Sequence, residues 1–129
     1  MNPPPAAAPL RVLLVEDSKV LAERLREALN QMKGVEVIET VDDERSAVDA
    51  ARRESIDLMV LDLQLHSGTG FGVLQSLGSK RPAVIVRTGY SVPEYQRRAE
   101  SMGVEYFLNK SRDCERLTDV VREIQRRCN

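Results

Sequence analysis

Five short apolar runs, separated by longer amphipathic stretches, set the strongest limit on how this chain can fold. The runs are residues 11–16 (RVLLVE), 35–40 (VEVIET), 56–62 (IDLMVLD), 83–88 (AVIVRT) and 106–109 (YFLN). Runs this short, rich in β-branched residues and nearly continuous in hydrophobicity, read as strands buried on both faces. The second run alternates more and is expected near a sheet edge; the third is the most apolar and is expected at the centre. Between them, residues 19–33 place Leu21, Leu25, Ala28, Leu29 and Met32 on one helical face. Gly34 is expected to close that helix as a C-cap. Asp43 or Asp42 can cap a second helix over 44–53, with Ala47, Val48 and Ala51 inward. A Gly-rich loop at 66–70 leads to a short helix at 71–77. Pro93 suits the first turn of a fourth helix, which runs to about residue 102. A fifth helix over 115–127 presents Leu117, Val120, Val121 and Ile124. Alternating strands and helices in one small domain imply parallel βαβ units with helices on both sheet faces. The predicted fold is α/β: a flavodoxin-like, doubly wound (βα)5 domain with a five-stranded parallel sheet in the order 2-1-3-4-5.

Length and composition agree with a single domain. The chain has 129 residues, enough for one core. Residues 1–9 are Pro/Ala-rich and read as a flexible tail, leaving 10–129 as the domain. Nineteen basic side chains face twenty acidic ones, for a net charge of −1, which argues against direct nucleic-acid binding. The Arg52-Arg53, Arg97-Arg98 and Arg126-Arg127 pairs fall on separate helices among acidic residues and read as solvated faces. No apolar run reaches the ~20 residues of a membrane helix, and no membrane contact is expected. Cys114 and Cys128 show no metal or redox spacing, which suits the cytoplasm.

In open parallel sheets the ligand site lies beyond the carboxyl ends of the strands, where the strand order reverses. The first run ends in Glu16-Asp17, the third in Asp62 and the fourth in Thr88, while the fifth runs into Lys110. The predicted order brings these five side chains to one rim. Three carboxylates so placed repel one another, and a divalent cation with oxygen ligands relieves the conflict; Mg2+ fits a few carboxylates, waters and a phosphate. Thr88 offers a hydroxyl and Lys110 a cationic donor for phosphate oxygens. The set describes a phosphoryl-transfer site with Asp62 as an aspartyl nucleophile.

With LLVED at 13–17, VLDLQLHSGTG at 60–70, VRTG at 86–89 and GVEYFLNK at 103–110, the chain resembles the receiver domain of two-component response regulators. The resemblance spans residues 10–127. It implies that Asp62 is the phosphoacceptor, fed by a phosphohistidine on a sensor histidine kinase or histidine phosphotransfer protein. It assigns Mg2+ to Asp17 directly, to Glu16 through water, to Asp62, and to the backbone carbonyl of Gln64. Thr88 and Lys110 are the phosphoryl-binding pair, Phe107 the switch aromatic, and Gly89 the small residue that leaves room beside Thr88. Gln64 and Tyr90 occupy positions that tune autodephosphorylation. The implied output is a downstream effector protein bound through the fourth helix, fifth strand and fifth helix, as the chain's end suggests a stand-alone receiver that is not an enzyme. A homodimer through Glu105, Arg116, Asp119 and Arg122 stays open.

Three positions depart from the family pattern. Glu16 replaces the commoner Asp, His66 stands where Pro is usual, and Ser111 follows Lys110 where receivers usually carry a cis-linked Pro. They keep alive the alternative of a receiver-like docking module that is not phosphorylated. His66, the lone histidine, reads as a solvent-exposed loop residue. A phosphatase of the haloacid-dehalogenase type would want Asp at the position of Gln64. A flavodoxin would want a Ser/Thr/Gly-rich phosphate loop after the first strand, where Glu16-Asp17-Ser18-Lys19 stands.

Overall fold

The computed structural model describes residues 8–89, 93–110 and 114–128. Five strands and five helices alternate: β1 (Leu10–Val15), α1 (Lys19–Asn30), β2 (Val35–Val41), α2 (Glu44–Arg53), β3 (Leu58–Asp62), α3 (Gly70–Leu77), β4 (Ala83–Thr88), α4 (Pro93–Ser101), β5 (Tyr106–Asn109) and α5 (Cys114–Cys128). All strand pairings are parallel, and the order is β2-β1-β3-β4-β5. The edge position expected for the second strand and the central one for the third are both observed.

Side chains alternate across a strand, so each sheet face gathers its own core. On one face Val12, Leu14, Leu58, Val60, Ile85 and Leu108 pack under α1 and α5. On the other, Leu13, Val15, Met59, Leu61, Val84 and Val86 pack under α2, α3 and α4. β3 is buried along its whole length, as a central parallel strand covered by helices must be. Each fully buried aliphatic side chain contributes roughly 1.5–3 kcal/mol. Together the two layers fix the strand ends that carry the polar residues.

The first helix differs from its predicted form. It stops at Asn30, with Gln31 as its C-cap, rather than running to Lys33. The Asn30 carboxamide oxygen accepts from Val37 N at 2.8 Å, and Met32 O accepts from Val35 N at 3.2 Å, so the chain is already turning into β2. Gly34 is therefore not the helix cap. At φ 76° it makes the turn, and its carbonyl accepts from Leu10 N at 2.7 Å. The buried stripe is Ala22, Leu25 and Leu29, while Ala28 is exposed. In α2, Ala50 is buried and Ala51 only partly so. Small alanines say little about which face turns inward. β3 starts two residues later than expected because Asp57 ties itself to Arg11, accepting from its N–H through Oδ2 at 2.9 Å. The apolar face of α5 is as expected, with Leu117, Val120, Val121 and Ile124 all buried.

Candidate functional site

The strand order reverses between β1 and β3, and the polar cluster sits at their carboxyl ends. Glu16 follows β1 with the parity of Leu14, and Asp62 ends β3 with the parity of Val60. Both therefore emerge on the α1/α5 face. Ser18 caps α1, its hydroxyl accepting from Leu21 N at 3.3 Å, while its own N–H donates to Glu16 Oε2 at 3.1 Å. One oxygen each of Glu16, Asp17 and Asp62 lies within 4.8 Å of the others, with Asp17 exposed and the other two buried. Lys110 bridges the two buried carboxylates. Its Nζ lies 2.6 Å from Asp62 Oδ2, 3.0 Å from Glu16 Oε2 and 2.8 Å from Glu16 Oε1. The last approach lacks hydrogen-bond geometry, so among the described residues Glu16 Oε1 is buried without a hydrogen-bond donor.

These positions set the electrostatics. Burial pushes the Asp62 carboxyl up to about 7, helped by the Glu16 charge and opposed by Lys110 and the Gln64 N–H. Burial also works against ionised Glu16, but Lys110 and the Ser18 N–H outweigh it and hold that carboxyl below its usual range. Burial would lower Lys110, yet its bonds to Asp62 and Glu16 keep it above its ordinary value. A buried, donorless carboxylate oxygen beside two more carboxylates is an oxygen set that a divalent cation satisfies.

The other predicted residues are placed around this cluster. Gln64 is exposed; its N–H donates to Asp62 Oδ1 at 3.1 Å. Thr88 is fully buried, and its carbonyl accepts from Lys110 N at 2.9 Å, so the β4–β5 ladder carries Lys110 to the rim. Gly89 is exposed, and a Cβ there would meet nothing within 4 Å. Phe107 is partly buried against the α2/α3/α4 core. His66 is exposed. Tyr90, Ser111 and most of the tail, residues 1–7, lie outside the described residues, as does the Lys110–Ser111 bond.

The loop after Asp62 is closed from below by glycine. A Cβ on Gly70 would sit 2.5 Å from the Asp62 carbonyl oxygen, and Gly70 N donates to Leu63 O at 3.0 Å. Glu44 Oε1 accepts from Thr69 N at 3.0 Å, tying the loop to α2. Sequence reasoning missed this brace, which no local pattern announces. It also missed Arg87, whose side chain is 4% exposed and whose NH1 lies 3.8 Å from Glu16 Oε1. An arginine next to last in an otherwise apolar strand was the available signal. The arginine pairs behave as solvated faces do: Arg53 pairs with Glu39 at 2.7 Å, Arg98 covers the Phe71 ring at 4.3 Å, and Arg127 pairs with Glu105 at 2.7 Å.

Comparison with known proteins agrees with this geometry. The sequence profile described as "Response regulator receiver domain" matches residues 12–122. The transcriptional regulatory protein PdtaR of Mycobacterium tuberculosis is 31% identical over 106 residues, covering 81% of this chain and 51% of that protein. A protein-glutamate methylesterase/protein-glutamine glutaminase of Anaeromyxobacter dehalogenans is 34% identical over 85 residues, 66% of this chain but 24% of that protein. The chain thus spans a quarter to about half the length of these relatives. The signal receiver domain of a putative Luxo repressor protein from Vibrio parahaemolyticus superposes with a TM-score of 0.83 at 28% identity, covering 92% of each chain. No described helix is long and apolar enough to cross a membrane. The chain belongs to the response regulator receiver domain family, the switch modules of two-component signalling.

Proposed function

We propose that Asp62 is the phosphoacceptor of this receiver and that Glu16, Asp17, Asp62 and the Gln64 carbonyl hold Mg2+. The observation that carries the reading is the cluster itself: three carboxylates within 4.8 Å, two of them bridged by Lys110. An Asp62 oxygen attacks the phosphorus of a partner's phosphohistidine. The new O–P bond replaces the P–N bond, and the imidazole leaves with its electron pair. When bound, the cation offsets charge on the transferring phosphoryl oxygens. Lys110, already against Asp62, favours its ionised form against the effect of burial and then pairs with the phosphoryl group. Thr88 donates its hydroxyl to a phosphoryl oxygen, Gly89 leaves the approach open, Phe107 follows Thr88 as the switch aromatic, and Gln64 with Tyr90 tunes hydrolysis. The result is a population shift in the surface offered to a downstream effector. Residues 10–129 form the receiver and 1–9 a tail, and the chain acts in the cytoplasm as a switch rather than an enzyme.

The test is gel mobility on a phosphate-binding matrix after incubation with acetyl phosphate and Mg2+, for wild type and Asp62→Asn. A Mg2+-dependent shift that the substitution abolishes is expected. No shift, together with no binding of beryllofluoride, overturns the reading in favour of an unphosphorylated docking module.

A further inference from the structure

Four polar side chains are buried among the described residues: Glu16, Asp62, Arg87 and Thr88. The proposed function uses three of them and leaves Arg87 without a task. Arg87 faces the same side of the sheet as Glu16 and Asp62, since it shares the parity of Ile85, and it stands opposite Asp62 in the β3–β4 register. Its NH1 is 3.8 Å from Glu16 Oε1, with the two side chains 4% and 1% exposed. That oxygen is the one left without a hydrogen-bond donor, and it has Lys110 Nζ 2.8 Å away on its other approach. A charge held this dry interacts with its neighbours far more strongly than one in water.

We propose that Arg87 is a resident counter-charge of the acidic site, a positioning residue that holds its affinity for a divalent cation below what the carboxylates alone would give. The inference rests on the reading of the cluster as a cation site. With all groups ionised, the three carboxylates and two cations carry a net charge of −1; a neutral residue at 87 leaves −2. The attraction for a divalent ion grows with that charge. Glu16 does not depend on Arg87 to stay in place, because Lys110 and the Ser18 N–H also hold it. Loss of Arg87 therefore removes a positive charge beside Glu16 Oε1 rather than scattering the site. A purely structural arginine gives the opposite sign: its loss loosens β4 and weakens binding.

The experiment is Mn2+ binding to the full chain, followed by electron paramagnetic resonance with Mg2+ as competitor, for wild type, Asp62→Asn, Arg87→Met, Arg87→Gln and Arg87→Lys. Thermal melting without metal checks that each variant folds. Arg87→Met and Arg87→Gln are expected to bind roughly tenfold more tightly than wild type, and Arg87→Lys close to wild type. Should the methionine variant not fold, the polar glutamine variant carries the test. Unchanged or weaker binding in a folded neutral variant overturns the role of Arg87 and leaves the phosphoacceptor reading intact. A wild type that binds no Mn2+ overturns both.

Discussion

Replacing Asp62 by Asn should stabilise the metal-free protein, and by more at pH 8 than at pH 5. In the folded chain burial raises the Asp62 carboxyl from 3.8 to about 7. The folded state therefore binds this proton more tightly than the unfolded one. Stability from this group is present below about pH 4 and is lost as the pH climbs to about 7, after which it levels off. At about 1.4 kcal/mol for each pH unit, the full loss is roughly 4 kcal/mol. That figure already includes the Lys110 bond, which opposes the shift. The gain for Asp62→Asn is thus on the order of 4 kcal/mol at pH 8 and about 1–2 kcal/mol at pH 5. Glu16 works the other way: its lowered carboxyl contributes stability above its unfolded value, lost only as the pH falls through its folded one. Urea unfolding of both proteins in EDTA, from pH 5 to pH 8, separates the two. A wild-type stability flat between pH 5 and 8, or an Asn variant less stable at pH 8, would refute the idea that uncompensated burial of Asp62 destabilises the apo site.

Other perturbations bear on the same cluster. Lys110→Met strands two buried carboxylates and should cost about 3–5 kcal/mol at pH 8, less at pH 5 where Asp62 is protonated, as read by urea midpoints. Saturating Mg2+ should raise the wild-type melting temperature, with about 2.7 kcal/mol gained at a hundredfold excess over Kd, and should raise that of Asp62→Asn far less. Gly70→Ala pushes a Cβ against the Asp62 carbonyl and should both lower the melting temperature and slow phosphorylation from acetyl phosphate. Ser18→Ala removes the α1 cap at a cost of about 1 kcal/mol, measurable by the same unfolding assay.

The fold could be read from the chain because five buried parallel strands leave a signal at every level: β-branched runs, amphipathic spacers and polar strand ends. That Glu16, Asp17, Asp62 and Lys110 lie together could be read because topology brings these strand ends to one rim. Helix boundaries were harder. α1 ends at Asn30 through a side-chain bond to β2, a tertiary contact with no local trace, and the alanines at 22 and 28 carried too little hydrophobicity to orient the helix. The roles of Glu44 and Arg87 also depend on tertiary contacts. Glu44 meets Thr69 across 25 positions, and Arg87 acquires its meaning only when the β1 end lies beside it.

The most direct test of Asp62 as the phosphoacceptor is borohydride trapping. The protein is phosphorylated with acetyl phosphate in Mg2+, the acyl phosphate is reduced, and the peptides are sequenced by mass spectrometry. The account predicts homoserine at position 62 alone, absent when EDTA replaces Mg2+. Conversion at another carboxylate, a phosphoryl group on His66, or unmodified Asp62 in protein that has taken up phosphate would contradict it.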